Sequence, residues 1–145
     1  MAVEGKRICN GTFGEIWLDS DLVTECYKAQ AKIEFNKEEI KQCGTWATDH
    51  KTTGYKGTGS LTTHKVFTDR ASKKIAEMLK NKQEVRFTII SKLADPDAYG
   101  AERIAIYGVS FDDLTLFDWE AQTPGEVEHP FTFTTYEYLD QIEPR

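Results

Sequence analysis

"HKTTGYKGTGSLTTHK", residues 50–65, places three glycines within six residues, at Gly54, Gly57 and Gly59. The fold turns on how this stretch is read. Gly54 and Gly59 have the G-x-x-x-x-G spacing of a phosphate-cradling loop. Such a loop needs Lys directly after the second glycine, then Ser or Thr, and it leads from a strand into a helix. Here Gly59 is followed by Ser60 and Leu61, and the chain runs on into "GSLTTHKVF" (59–67), a threonine-rich strand pattern. The charge that would neutralise β- and γ-phosphates is missing from its position. The other reading is an extended or flexible segment whose glycines permit close backbone approach.

The flanking sequence sets the context. "LVTECYKAQAKIEF" (22–35) alternates, with Val23, Tyr27, Ala29, Ala31, Ile33 and Phe35 at odd positions and Thr24, Lys28, Gln30, Lys32 and Glu34 at even ones. That is one long strand with a buried face and a wet face. Residues 36–58 show no sustained periodicity and are too long for a hairpin turn, so a long extended loop is expected. Trp46 and Tyr55 set this loop apart from a disordered linker.

Further along, Asp69 can cap a helix of about 12 residues, with Ala71, Ile75, Met78 and Leu79 on one face and Arg70, Lys73, Lys74 and Lys80 opposite. "EVRFTIISKL" (84–93), "RIAIYGVSF" (103–111), "LTLFDWE" (114–120) and "VEHPFTFTTYEYL" (127–139) read as further strands. The 103–111 strand is apolar on both faces and therefore central. Pro130 cannot donate to a ladder, which points to an edge or a bulge. The expected fold is mainly β: an antiparallel β-sandwich or open barrel with one flanking α-helix, in a single domain over 1–145.

Composition bounds the function. At 145 residues roughly two-thirds of the unfolded surface can be buried, enough for a core without disulfides or metals. No apolar run approaches the roughly 20 residues of a membrane helix, and "MAVEGKRICNGTFGE" has no apolar signal core, so neither membrane binding nor secretion is expected. Three well-separated cysteines, Cys9, Cys26 and Cys43, read as reduced thiols. Residues 112–145 carry nine acids and one base, net -8, whereas residues 1–111 are slightly basic at +2. The acidic excess disfavours tight DNA binding and fits a surface that repels polyanions or meets a basic partner.

No catalytic constellation emerges. "DPDAYGAE" begins like a calcium loop, but its twelfth position is Ile106 and Tyr99 replaces an oxygen ligand. Cys43 and His50 lack the close second pair of a zinc site. His64 and His129 sit in strand patterns and read as structural or surface groups. Asp112 and Asp113 mark a turn. No metal and no cofactor is expected, and the chain does not read as an enzyme. Two competing readings are a small β-barrel nucleotide- or ligand-binding enzyme using the 54–60 glycine loop, and a monomeric carbohydrate- or peptide-binding sandwich using Trp46, Tyr55 and Tyr99.

Four blocks, in order, resemble one family. "NGTFGEIWLDSD" (10–21), "TDHKTTGYKGTGSLTTHKV" (48–66), "GAERIAIYGVSFD" (100–112) and "EVEHPFTFTTYE" (126–137) are similar to blocks of the tail tube proteins of contractile phage tails of the PBSX prophage type. Ser20 and Asp49 stand where that family usually has glycine. The resemblance implies a structural protein that forms hexameric rings stacked into the hollow inner tube of a phage tail or phage-tail-like bacteriocin. The inner sheets would join into one shared barrel, and DNA or ions would pass through on contraction. It implies as partners further copies of the chain, the sheath, the tape measure protein, and baseplate and tail terminator proteins, with DNA only transiently in the lumen. Its place would be the virion tail or particle, assembled in the bacterial cytoplasm. On this resemblance 36–58 is an arm reaching a neighbouring subunit, carrying Trp46, His50, Lys51, Gly54, Tyr55, Gly57 and Gly59. The wet face Lys28, Gln30, Lys32 and Glu34 is the candidate lumen face; its lysines conflict with a DNA-repelling lumen, so either acids elsewhere dominate the lumen or this face lies elsewhere.

Overall fold

The computed structural model describes residues 2–144. Two 3-10 turns, Gly5–Arg7 and Gly11–Phe13, precede β1 (Gly14–Leu18), β2 (Asp21–Leu22), β3 (Cys26–Ile40), β4 (Asp49–His64), α1 (Arg70–Asn81), β5 (Phe87–Leu93), β6 (Glu102–Phe111), β7 (Glu126–Phe133) and β8 (Thr135–Asp140). All eight strands belong to one antiparallel sheet in the order β2-β1-β5-β6-β7-β4-β3, with β8 also on β6. The expected mainly-β fold with one flanking helix is what forms.

The sheet turns back on itself at β6, which is central as its two apolar faces require. β7 and β8 oppose β6 in one unbroken register, from Phe111 opposite Phe131 and Ser110 opposite Thr132 to Tyr107 opposite Thr135 and Ile106 opposite Tyr136. The ladder bends at Gly108, whose φ of 66° suits glycine. Opposite it, the Thr134 backbone N–H and hydroxyl both donate to the Tyr107 carbonyl, at 3.1 and 3.2 Å. Past the bend, β7 leaves for a layer with β4 and β3, while β8 stays in the layer of β6, β5 and β1. Between the layers lies one core that includes Ile16, Leu61, Phe87, Ile89, Ile106, Val109, Phe131 and Phe133.

Helix α1 closes one end. The Asp69 carboxylate accepts from the Ser72 N–H at 2.7 Å, and Lys82 ends the helix in the left-handed region at φ 58°. Ala71 and Ile75 are buried and Met78 packs beside them. Leu79, expected on the same face, is 65% exposed. It sits about 100° round the helix from Met78, beyond the rim of a narrow apolar stripe.

Four other expectations change. Residues 36–58 are not a loop: β3 runs to Ile40 and β4 starts at Asp49, leaving only 41–48 unpaired. Alternation fails there because the distal strands are exposed on both faces, so neither face selects apolar residues. Residues 114–120 form no strand, since that stretch pairs with no neighbour. Of the face of 22–35 expected to be buried, only Val23 and Ile33 are half-buried; Ala29, Ala31 and Phe35 are exposed on this edge strand, and Tyr27 is turned to the opposite face by the register slip between Cys26 and Lys28. Pro130 lies in an interior strand, between Ser60 of β4 and the end of β6. Its carbonyl accepts the Asp112 N–H at 2.9 Å just past the last β6 residue, so its nitrogen falls where that ladder ends.

Candidate assembly surfaces

The glycine stretch is a strand with two neighbours. Gly57 lies opposite Ile33 and Phe133, and Gly59 opposite Ala31 and Phe131. A β-carbon on Gly57 or Gly59 would fall 2.6 Å from the Phe133 or Phe131 ring. The glycines leave room for two core phenylalanines to lie across β4, and no open loop remains to cradle a phosphate. Gly54 has only the Asn36 side chain near, at 3.7 Å from its would-be β-carbon.

Beyond Gly57 no third strand joins the hairpin among the described residues. The ladder continues through Glu34 opposite Lys56, Phe35 opposite Tyr55, Glu38 opposite Lys51 and Glu39 opposite His50, ending at Ile40 opposite Asp49. Residues 49–56 alone carry it roughly 25 Å outward at the ordinary rise of a strand. At the tip Gly44 adopts φ 88°, Ala47 N–H donates to the Thr45 hydroxyl at 3.2 Å, and Trp46 is fully exposed. The seven residues expected on an arm therefore divide. Trp46, His50, Lys51 and Gly54 ride on the projecting hairpin. Gly57 and Gly59 lie in the body, and Tyr55 is tied to it by its hydroxyl, which donates to the Thr134 carbonyl at 3.0 Å. Phenylalanine pairing and this tether, both long-range, gave no local signal.

The even residues Lys28, Gln30, Lys32 and Glu34 share a face with Thr62, Ser60, Thr58 and Lys56 of β4, which lie opposite them. The alternation continues this face onto Glu126, Glu128 and Thr132 of β7, opposite His64, Thr62 and Thr58. Lys32 and Glu34 pair at 3.2 Å. Tyr27 stacks on His64 at 4.4 Å, and a hydrogen bond to Glu126 raises its phenol pKa. Lys28, Lys32 and Lys56 are thus matched by Glu34, Glu126 and Glu128: the balancing acids come from β7, two strands away, where a single-strand reading could not find them. Among the described residues, the outer edge of β3 pairs with nothing over its 15 residues.

The remaining polar groups are structural. Asp95 is buried, and its two carboxylate oxygens accept from Asn10 N–H and Asp97 N–H, both at 2.9 Å. Asp69 accepts from His129 at 3.1 Å as well as from Ser72. Burial pushes its pKa up, but those hydrogen bonds outweigh it and hold the carboxyl at about 2. Among the described residues no three His, Cys, Asp or Glu side chains are grouped to hold a metal, and no helix is long and apolar enough to cross a membrane. The three aromatics of the carbohydrate reading are apart: Trp46 at the hairpin tip, Tyr55 on Thr134, and Tyr99 in the β5–β6 loop beneath the Arg7 guanidinium, 5.1 Å from the ring centre.

The model of a family described as "Phage tail tube protein" matches residues 1–140. The chain is 30% identical over 144 residues to the Phage-like element PBSX protein XkdM of Bacillus subtilis (strain 168), covering 98% of this chain and 97% of that one. In fold it is similar to a chain of the anti-feeding prophage tube-terminating cap, with a TM-score of 0.73 at 13% identity, covering 97% of this chain and 95% of that one. It also matches a chain of the sheath–tube complex of an extracellular contractile injection system in its extended state, with a TM-score of 0.63 at 10% identity and 86% of each chain covered.

Proposed function

The chain belongs to the phage tail tube protein family, a structural and not an enzymatic family, and on that premise we propose that it builds the inner tube of a contractile tail or phage-tail-like particle as stacked hexameric rings. The observation that carries this is the hairpin. Two strands paired only with each other stand off the body, with a bare tryptophan at the tip and a 15-residue free edge along β3. A free edge of that length is an open template for another strand, and a large exposed aromatic is a binding anchor in waiting. Edge pairing between copies joins the β3–β4–β7 layers into a shared barrel. The hairpin reaches a neighbouring subunit, and the charge-balanced face with Lys28, Gln30, Lys32 and Glu34 lines the lumen. Three positive and three negative side chains there give passing DNA little net charge to bind. Sheath, tape measure, baseplate and terminator proteins are the partners such a tube meets, and bacterial cytoplasm is where it assembles.

The test is assembly of the purified chain. Rings or tubes should appear by negative-stain microscopy as concentration rises. Lys37 lies opposite Thr52, so replacing residues 38–51 by Asn-Gly joins the strands through a two-residue turn without changing register. That variant should melt as a folded subunit and form no tubes. A wild-type chain that stays monomeric at every protein and salt concentration, or a shortened chain that polymerises normally, defeats the proposal.

A further inference from the structure

Between β6 and β7 the chain crosses the surface as "DDLTLFDWE" (112–120). This is no loose tail. The Asp112 N–H donates to the Pro130 carbonyl at 2.9 Å, and the Gly125 carbonyl accepts from the Lys65 N–H at 2.8 Å, so the segment and its turn are pinned at both ends. Leu114 packs on the core. Leu116, Phe117 and Trp119 face outward at 79–80% exposure. Around them stand Asp112, Asp113, Asp118 and Glu120, net -4 with no base, and none of the four forms an ion pair among the described residues. An apolar patch with an acidic rim, held in shape by the body, has the form of an interaction site.

The same molecule carries the complement. Residues 70–86, α1 and the turn after it, hold six bases and two acids, net +4. Arg70 and Lys74 are neutralised by Asp21 and Asp19, and Arg86 by Glu84. Lys73, Lys80 and Lys82 have no ion-pair partner among the described residues, and Leu79 stands exposed between them.

We propose that the acidic aromatic segment 112–120 of one copy docks on the basic outer face of α1 in a second copy. This rests on the assembly reading above and names one of its contacts. The two patches are different surfaces, so the contact is head-to-tail. A repeated head-to-tail contact closes a ring or extends a filament, rather than stopping at a two-fold dimer.

Charge reversal on each side tests it. Asp113→Lys with Asp118→Lys, and separately Lys73→Glu with Lys80→Glu, change only exposed side chains, so thermal unfolding of the dilute subunit should not move. Sedimentation in low salt should show the concentration needed for assembly rising about tenfold or more in each variant, because attraction becomes repulsion. Combining all four reversals should bring it back to within about threefold of wild type, since opposite charges again face each other. If either reversed variant assembles like wild type, or the combination fails to recover, the docking is wrong and the acidic segment faces some other partner. If the wild-type chain never assembles, the tube reading falls first and this contact with it.

Discussion

Replacing the three glycines of β4 one at a time by alanine separates packing from conformational freedom. No glycine here needs a positive φ, so alanine restricts the unfolded chain and by itself stabilises by about 0.4–1 kcal/mol. At Gly54 nothing opposes this, because the added carbon meets only Asn36 at 3.7 Å. At Gly59 it would lie 2.6 Å from the Phe131 ring and also press on the Gln30 carbonyl. Carbon atoms settle at about 3.5–4.0 Å, so roughly 1 Å of movement is needed. Phe131 is 1% exposed and the Gln30 backbone is fixed in the β3–β4 ladder, so neither yields. Overpacking of that kind costs about 1–3 kcal/mol, which exceeds the gain. Gly57 is intermediate, since its clash is with the Phe133 ring alone, 7% exposed. A domain of this size shifts by about 2–4 °C per kcal/mol. Melting followed by circular dichroism, at a concentration too low for assembly, should place Gly54→Ala slightly above wild type, Gly57→Ala near or below it, and Gly59→Ala several degrees below. A Gly59→Ala subunit as stable as Gly54→Ala would refute the claim that these glycines make room for the phenylalanines.

Ser20 sits at φ 76° beside Asp19 at φ 48° in the two-residue turn from β1 to β2; Ser20→Gly should raise stability by about 1 kcal/mol, read as an upward shift in the urea midpoint. The Asp69 carboxyl at about 2 lies below its ordinary 3.8, so its contribution of about 2 kcal/mol is present above pH 4 and lost as pH falls toward 2. Asp69→Asn, which still caps the helix, should flatten acid unfolding over that window, and an unchanged slope would show that the His129–Asp69 pair carries no linkage. Ile75, 6% exposed on α1, changed to Asp should lower stability by several kcal/mol in urea unfolding through an unpaired buried charge, whereas Trp46→Ala should leave the subunit's unfolding curve in place.

Where one face of an element is buried and the other wet, the chain could be read directly. Ile75 falls on the helix face expected for it, and Ile89 and Phe131 lie in segments expected as strands, because burial on one side imposes the period; β1, with Ile16, was not read from the sequence. Asp69 announced the helix by its capping chemistry. The distal hairpin was invisible for the opposite reason: backbone ladders hold it, and backbone hydrogen bonds leave no mark on side-chain choice. "LTLFDWE" misled because its residues favour strands, while a strand also needs a neighbour, which this segment lacks. Of the assembly surfaces, the projecting Trp46 and the lysines of β3 were legible. Glu126 and Glu128, which balance those lysines, were not, because the strand that delivers them is set by long-range register.

In the tube proposed above, the bend at Gly108 would decide how force travels in the wall. Two separate sheets held only by side-chain contacts would slide over one another like greased plates. Here the two layers share β6, with β7 and β8 as a single partner strand in one register across the bend. A thrust along these strands is met by ladder hydrogen bonds strained together in shear, instead of being peeled apart one by one. In the proposed wall, stiffness would therefore reside in the covalent continuity of two strands, and Gly108 is the point where it would be tuned.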